Sequence, residues 1–246
     1  MTALPLPPAH LLDGATLFLD FDGTLVEIAD TPDAVDASGL GTLLARLAAR
    51  LEQRIAIVSG RPVAEVAAHI APARLAIAGS HGLEMAAADG TCSAPERTAA
   101  LDTALHAAAD LAARHPGVLI EDKPFGIGLH YRGAPGAEAD ALALADGLAA
   151  THGLTVQRGK MVAELRLPGH DKGSAVRALM TEPERRATRP VFMGDDVTDE
   201  AGFAAATQLG GAGILVGAPR ATAARHLLPD VAAARAWLAA YAGVPA

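Results

Sequence analysis

Cysteine is all but missing. Cys92 is the single one in 246 residues, which excludes an intrachain disulfide and points to a reducing compartment. Nor is there a basic excess: Lys and Arg number 20 against 28 Asp and Glu, for a formal net charge of −8. The clustered cationic surface of a nucleic-acid partner is therefore not expected. No stretch of eighteen uninterrupted apolar residues occurs, so no membrane-spanning helix is expected. The opening MTALPLPPAHLLDG lacks both a basic start and an apolar run and is not read as a signal peptide. These exclusions leave a cytoplasmic globular protein, read as a monomer, with no nucleic-acid or membrane partner. Of what is present, 51 % is hydrophobic, much of it alanine, which favours helices while adding little core volume. The length suffices for one large domain or two modest ones.

Short apolar runs ending in polar or glycine-rich punctuation alternate with helical stretches. LFLDFDG precedes SGLGTLLARLAARLEQ, where Leu40, Leu43, Leu44, Leu47 and Leu51 recur at helical spacing. RIAIVSGRP with VAEVAAHI, RLAIAGSHG, RPVFMGDDVTDE with AGFAAATQL, and AGILVG with a last helix near Trp237 continue the pattern. Strands alternating with helices predict an α/β, doubly wound and mainly parallel sheet. The middle reads differently: a helix and two strand-like runs (GVLIEDKPFGIGLHYRG), then another helix and two more runs (LTVQRGKMVAELRLPG). That pattern predicts an inserted α+β domain over 94–168, with a four-stranded, mainly antiparallel sheet backed by two helices, inside a core formed by 1–93 and 169–246. Linkers are expected near Cys92–Pro95 and Pro168–His170.

The polar residues at the run ends carry the chemistry. In open parallel sheets, ligands bind beyond the carboxyl ends of the strands. Asp20 and Asp22 follow the first run, Ser59 the second, and Asp195 and Asp196 a later one. Lys172 opens a helix, where the partial positive charge of the helix end disfavours a cation; its place makes sense if something negative faces it. Each feature alone has an ordinary reading. Asp22-Gly23 is a common turn and Asp20 a cap, GDDVTDE a loop and helix start with acids that complement the dipole, Ser59 a turn residue and Lys172 a solvated lysine. Their combination, in this order at successive run ends, is harder to dismiss.

These segments, DFDGTL, IVSGR, GHDKG and MGDDVTDE, resemble the haloacid dehalogenase-like superfamily of phosphatases, whose core is Rossmann-like. The resemblance implies that Asp20 is the nucleophile, forming an aspartyl phosphate, and Asp22 the general acid and base. It implies Mg2+ held by Asp20, the backbone carbonyl of Asp22, and Asp195. Asp199 completes that metal site from outside by orienting water or Lys172, with Asp196 beside it on the substrate side. Lys172 and the Ser59 hydroxyl would hold phosphoryl oxygens, and amides after Asp20, at Gly23 and Thr24, would form an anion nest.

The inserted segment should set the substrate. Read at period two, GIGLHYR places His130 and Arg132 on one face, and KMVAELRL places Lys160, Val162, Glu164 and Arg166 on one face. With GSHGLE, KPFGIGLHYR and GKMVAELRLPGHDKG added, the chain is similar to the trehalose-6-phosphate phosphatase family with an α/β cap. That likeness implies hydrolysis of trehalose 6-phosphate, with Lys123, His130, Arg132, Glu164 and Arg166 gripping the sugar. Arg61, Gly79, His81 and Gly82 would lie beside it. Rivals remain open at this point: a phosphatase for sucrose phosphate or mannosyl-3-phosphoglycerate, a sugar phosphomutase, and a non-catalytic receiver-like phosphate-binding module. A receiver needs no second acid at Asp22 and no inserted domain.

Overall fold

The computed structural model describes residues 4–29, 35–159 and 161–243. Lys160 and positions 30–34 lie outside the described residues. Two compact units form, Met1–Ala94 with His170–Ala246, and Pro95–Gly169.

The first unit is built on an eight-stranded sheet. Its strands are β1 (Ala15–Leu19), β2 (Ile55–Val58), β3 (Ala76–Gly79), β4 (Glu84–Ala86), β5 (Cys92–Ser93), β10 (Arg189–Gly194), β11 (Ala212–Val216) and β12 (His226–Leu228). The spatial order is β12-β11-β10-β1-β2-β3-β4-β5. Pairing is parallel from β12 to β3 and antiparallel where β4 and β5 extend the edge. β1, β2, β3 and β11 are buried at every position, which explains why they read as unbroken apolar runs and not as alternation.

Helices cover both faces. α1 (Leu40–Arg50), α2 (Val63–Ile70) and α7 (Val231–Ala242) share a core with Leu17, Leu19, Ile55, Ile57 and Met193. α5 (Lys172–Leu179) and α6 (Glu200–Gln208) share another with Phe18, Val58 and Phe192. Leu40, Leu43, Leu44 and Leu47 are buried in α1, with Leu51 capping it, as their spacing predicts; each such side chain contributes about 1.5–3 kcal/mol by leaving water. The odd–even split in β1 matters for the site. Phe18 faces α5 and α6, so Asp20, two residues on, falls on the side where α5 begins.

In the second unit, α3 (Ala99–Arg114) and α4 (Glu138–His152) accompany β6 (Leu119–Lys123), β7 (Gly126–His130), β8 (Thr155–Gly159) and β9 (Val162–Arg166). The sheet order is β6-β7-β9-β8, with antiparallel pairing throughout. Ile127, Leu129, Ala163 and Leu165 are buried on one face.

Three short strands depart from the sequence expectation. Cys92, expected in a linker, pairs with Ala86 in the β4–β5 hairpin, and β12 pairs with β11. Cys92 and Ser93 are exposed, so neither alternation nor an apolar run marks them; backbone pairing alone makes them strand. Among the described residues no helix is long and apolar enough to cross a membrane.

Candidate active site

The carboxyl end of β1 brings Asp20 into the interior. Its amide still donates to the Met193 carbonyl at 2.9 Å, so the β1–β10 ladder holds the backbone one residue past the strand. Lys172 arrives from the other direction. Asp171 caps α5, accepting the Ser174 amide at 2.6 Å, while the Ser174 hydroxyl accepts the Asp171 amide at 2.9 Å. That capping box fixes Lys172 as the first helical residue. Its ammonium then donates to Asp20 Oδ1 at 2.7 Å and Asp199 Oδ1 at 2.6 Å. The three side chains are 4 %, 6 % and 0 % exposed, so the charges are removed from water and must satisfy one another.

Asp199 is the hub of this cluster. Its second oxygen accepts the amides of Asp195 and Asp196 at 2.9 and 3.0 Å, holding the loop after β10 around it. The Thr24 hydroxyl makes long contacts of 3.4 Å to Asp20 and 3.5 Å to Asp195. Asp196 turns away: its carboxylate accepts the amide and hydroxyl of Thr198 at 2.7 and 2.6 Å, as a cap.

Glycine permits this crowding at two places. Gly23 has φ +74°, and a Cβ there would stand 2.2 Å from Asp195 Oδ2; one on Gly194 would stand 2.3 Å from Asp199 Cγ. Gly194→Ala is therefore expected to push Asp199 off Lys172 and the loop amides. The expected cost is about 1–3 kcal/mol of stability and about 100-fold in turnover. Thermal melting and phosphate release check both, and an alanine variant with wild-type rates would contradict the crowding argument.

Burial, then the charge of Asp199, raises the Asp20 pKa well above the ordinary carboxylate range despite Lys172. Burial and the neighbouring acids push Asp195 up to about 6. Burial also raises Asp199, opposed by Lys172. Burial works against the Lys172 ammonium, but Asp20 and Asp199 outweigh it and hold the group protonated. Three carboxylates face one ammonium, a deficit of positive charge. One oxygen from each of Asp20, Asp195 and Asp199 lies within 4.8 Å of the others, a hard all-oxygen set that fits Mg2+.

A second cluster adjoins through Asp22. Arg61 grips its carboxylate with two parallel bonds, Nε to Oδ2 and Nη2 to Oδ1, both 2.7 Å. The Ser59 hydroxyl, at the end of β2, accepts the Arg61 amide at 3.1 Å. Ser80, His81 and Gly82 follow in left-handed conformation at φ 48°, 58° and 95°, and the His81 amide donates to the Ser59 carbonyl at 2.9 Å. A Cβ on Gly60 would stand 2.8 Å from the His81 ring, so the glycine seats the imidazole.

In the second unit the registers place Glu121, Lys123, Gly126, Gly128, His130, Glu164 and Arg166 on one sheet face. The Lys123 ammonium lies 3.2 Å from Glu164 and 3.5 Å from Glu121, and His130 Nε2 lies 2.9 Å from Glu121. Burial disfavours the charged Lys123, yet Glu164 and Glu121 raise its pKa on balance; the His130 hydrogen bond lowers that of Glu121. A Cβ on Gly128 would meet Glu121 and His130 at 3.1 Å, so this bare position lets the charged side chains lean together. Arg166 is half-buried and Arg132, just past β7, is exposed. Glu121 was not among the residues expected from sequence; stepping back by two from Lys123 along β6 would have found it.

Comparison with known proteins identifies the family of the chain. A family model described as trehalose-phosphatase matches residues 18–228. A "probable trehalose-phosphate phosphatase" of Sinorhizobium fredii is 37 % identical over 235 residues, covering 94 % of this chain and 89 % of that protein. The trehalose-6-phosphate phosphatase of Escherichia coli is 36 % identical over 222 residues, 87 % of this chain and 82 % of its own. The trehalose-phosphate phosphatase of Mycobacterium marinum is 38 % identical over 213 residues, but the match spans only 54 % of it. Among solved structures, one titled a trehalose-6-phosphate phosphatase related protein has TM-score 0.75 at 27 % identity, covering 92 % of this chain and 96 % of its own. The C-terminal domain of the Candida albicans trehalose-6-phosphate phosphatase has TM-score 0.81 with 99 % coverage of both chains; at 22 % identity that likeness speaks to fold.

Proposed function

This chain belongs to the trehalose-phosphatase family, a family of phosphoric monoester hydrolases, and from that premise we propose that it hydrolyses trehalose 6-phosphate to trehalose and phosphate, with Mg2+, through an aspartyl phosphate on Asp20. The observation that carries the proposal is the buried Lys172 ammonium between Asp20 and Asp199, with Asp195 completing the acidic set.

In this reading Asp20 attacks phosphorus through the carboxylate oxygen not bonded to Lys172. The bond from phosphorus to the sugar oxygen breaks, and Asp22 gives its proton to that departing oxygen. Asp22 then takes a proton from water as the water oxygen attacks the phosphorus of the acyl phosphate. Phosphate leaves and the Asp20 carboxylate is restored. Arg61 sets the orientation of Asp22 by its double hydrogen bond and must free one oxygen for the proton that Asp22 donates, and Lys172 favours the ionised form of Asp20 against burial. Ser59 contributes its hydroxyl to a phosphoryl oxygen. Mg2+ held by Asp20, Asp195, the Asp22 carbonyl and the Asp199-ordered loop would offset carboxylate repulsion and draw charge from the phosphoryl group. We assign residues 94–168 as the cap that selects the sugar, using Lys123, His130, Glu164, Arg132 and Arg166, with Glu121 joining them. His81 and Gly82 serve the sugar phosphate from the core.

Phosphate release from trehalose 6-phosphate, sucrose 6-phosphate, glucose 6-phosphate and mannosyl-3-phosphoglycerate, with Mg2+ present, tests the substrate. Preference for any ester but the first overturns that assignment. Glu164→Ala, which removes a charged hydrogen-bonding group, is expected to lower kcat/KM for trehalose 6-phosphate about 10- to 100-fold. On p-nitrophenyl phosphate, which offers no sugar, the change should stay within about threefold. Equal losses on both substrates would remove Glu164 from the sugar site.

A further inference from the structure

The loop that presents Asp195 is held through both its amides and its carbonyls. Its amides, those of Asp195 and Asp196, both point at the Asp199 carboxylate. Its carbonyls accept from Arg220, in the segment between β11 and β12, and that of Asp196 also accepts the Asp199 amide at 3.3 Å. Arg220 Nη2 donates to the Asp196 carbonyl at 2.5 Å and to the Asp195 carbonyl at 3.3 Å. Its other terminal nitrogen pairs with Glu200, the first residue of α6, and donates to the Ala221 carbonyl at 3.1 Å. Glu200 is itself fixed, since its second oxygen accepts the Ala223 amide at 2.7 Å.

We propose that Arg220 is a positioning residue for the metal site: by pinning the carbonyls of Asp195 and Asp196, it fixes the direction in which the Asp195 carboxylate leaves the loop and so sets affinity for a divalent cation. The inference rests on the reading of Asp195 as a metal ligand. The peptide plane joining Asp195 to Asp196 is bonded at both ends, its C=O to Arg220 and its N–H to Asp199, and the planes on either side are each held by at least one further bond, so the central plane cannot rotate without breaking a bond. The remaining freedom lies in the Asp195 side chain, already confined by the Gly23 backbone, which stands where a Cβ would touch it. A guanidinium suits this task because its planar fork reaches two successive carbonyls and a carboxylate at once, while an ammonium is a point donor. Arg220 is 26 % exposed, so water can replace its bonds to the carbonyls. Loss of Arg220 should therefore loosen the loop without unfolding the protein, and the deficit should fall on metal binding.

Direct titration with Mn2+, followed by electron paramagnetic resonance of the free ion, reads that deficit without catalysis. Outer residues that orient metal ligands typically account for about 10- to 100-fold in affinity. Arg220→Ala is expected to weaken Mn2+ binding by at least about tenfold, and to raise the Mg2+ concentration for half-maximal activity in parallel. Activity at saturating Mg2+ should recover far more than affinity does. Arg220→Lys should restore little, and Glu200→Gln, which releases Arg220, should weaken Mn2+ in the same direction. Asp195→Asn separates the two ideas. If it binds Mn2+ like wild type, the metal reading itself fails. If it loses Mn2+ while Arg220→Ala keeps wild-type affinity, the positioning role is overturned. Should Arg220→Ala not fold, Arg220→Lys and Glu200→Gln carry the test, and wild-type Mn2+ affinity in both would likewise overturn it.

Discussion

Replacing Asp20 by Asn should abolish turnover, by more than about 1,000-fold, while leaving the fold intact. An amide oxygen is too weak a nucleophile to displace the sugar oxygen, yet it keeps the acceptor that Lys172 uses at 2.7 Å. The stability argument runs opposite to the catalytic one. The Asp20 pKa is raised in the folded protein, with burial and Asp199 outweighing Lys172. A carboxyl raised in this way binds its proton more tightly folded than unfolded. Its contribution to stability therefore falls as pH rises from the unfolded carboxylate range through the folded pKa. At pH 7 in metal-free buffer the Asp20 carboxyl is a liability, since folding requires it either to stay charged in a buried place or to take up a proton, and the Asn variant should melt no lower than wild type. Acid quenching during turnover of phosphate-labelled trehalose 6-phosphate gives the matching chemical readout, with label retained on wild-type protein and none on Asp20→Asn. Wild-type rates in the variant would exclude covalent catalysis at Asp20.

Lys172→Met is the counterpart, and its expected effect on stability is the largest. Methionine keeps most of the side-chain volume but removes the one ammonium that joins Asp20 to Asp199. Breaking a buried pair by deleting one partner costs about 3–5 kcal/mol, because the remaining charges stay buried without compensation. For a chain of this size that corresponds to a drop in Tm on the order of 10 °C in metal-free buffer. The drop should depend on pH in a fixed sense. Asp20, Asp195 and Asp199 already have raised pKa values, and without Lys172 they rise further. Acidification protonates them in the folded state and relieves the repulsion, so the deficit should be smaller at pH 5 than at pH 8. Mg2+ should recover part of the stability, but turnover should remain at least about 100-fold down, because the fixed positive charge beside the nucleophile is gone. A Met variant with unchanged Tm at pH 8 would mean that the buried ion pairs contribute nothing net.

Much of this arrangement is legible along the chain, for a definable reason. Parallel strands buried on both faces leave unbroken apolar runs, and the polar residues of the candidate site follow directly where those runs stop, at Asp20, Ser59 and Asp195. Lys172 stands out as a cation at a helix start, where the backbone charge opposes it; its two carboxylate partners resolve that contradiction. The leucine spacing of α1 and the alternation in β7 and β9 are read as easily, because periodicity reports which side is buried.

Periodicity does not report who pairs with whom. The β4–β5 hairpin and β12 are too short to show a pattern: Ala86 and Leu228 are buried, Met85 and Leu227 are partly buried, and Cys92 and Ser93 are exposed. Glu121 sits in β6, where the exposed Leu119 and Asp122 blur the alternation that would have marked it. Asp196 and Asp199, three residues apart in one acidic motif, take different parts: Asp199 turns inward to Lys172, and Asp196 caps a helical turn.

By itself, then, the sequence determined the α/β class, the run of leucines that covers the sheet, and the residue types at each strand end, because these follow from local propensity and from burial at a fixed period. Only the tertiary structure decided that Asp199 is the hub of the acidic cluster, that Arg61 orients Asp22, and that Arg220 clamps the Asp195 loop from across a gap of about 25 positions. Each of those includes a bond between residues distant in the chain, Asp199 with Lys172, Arg61 with Asp22, and Arg220 with Asp195. Such a bond depends on direction and distance in the folded molecule, which no property of either residue alone encodes.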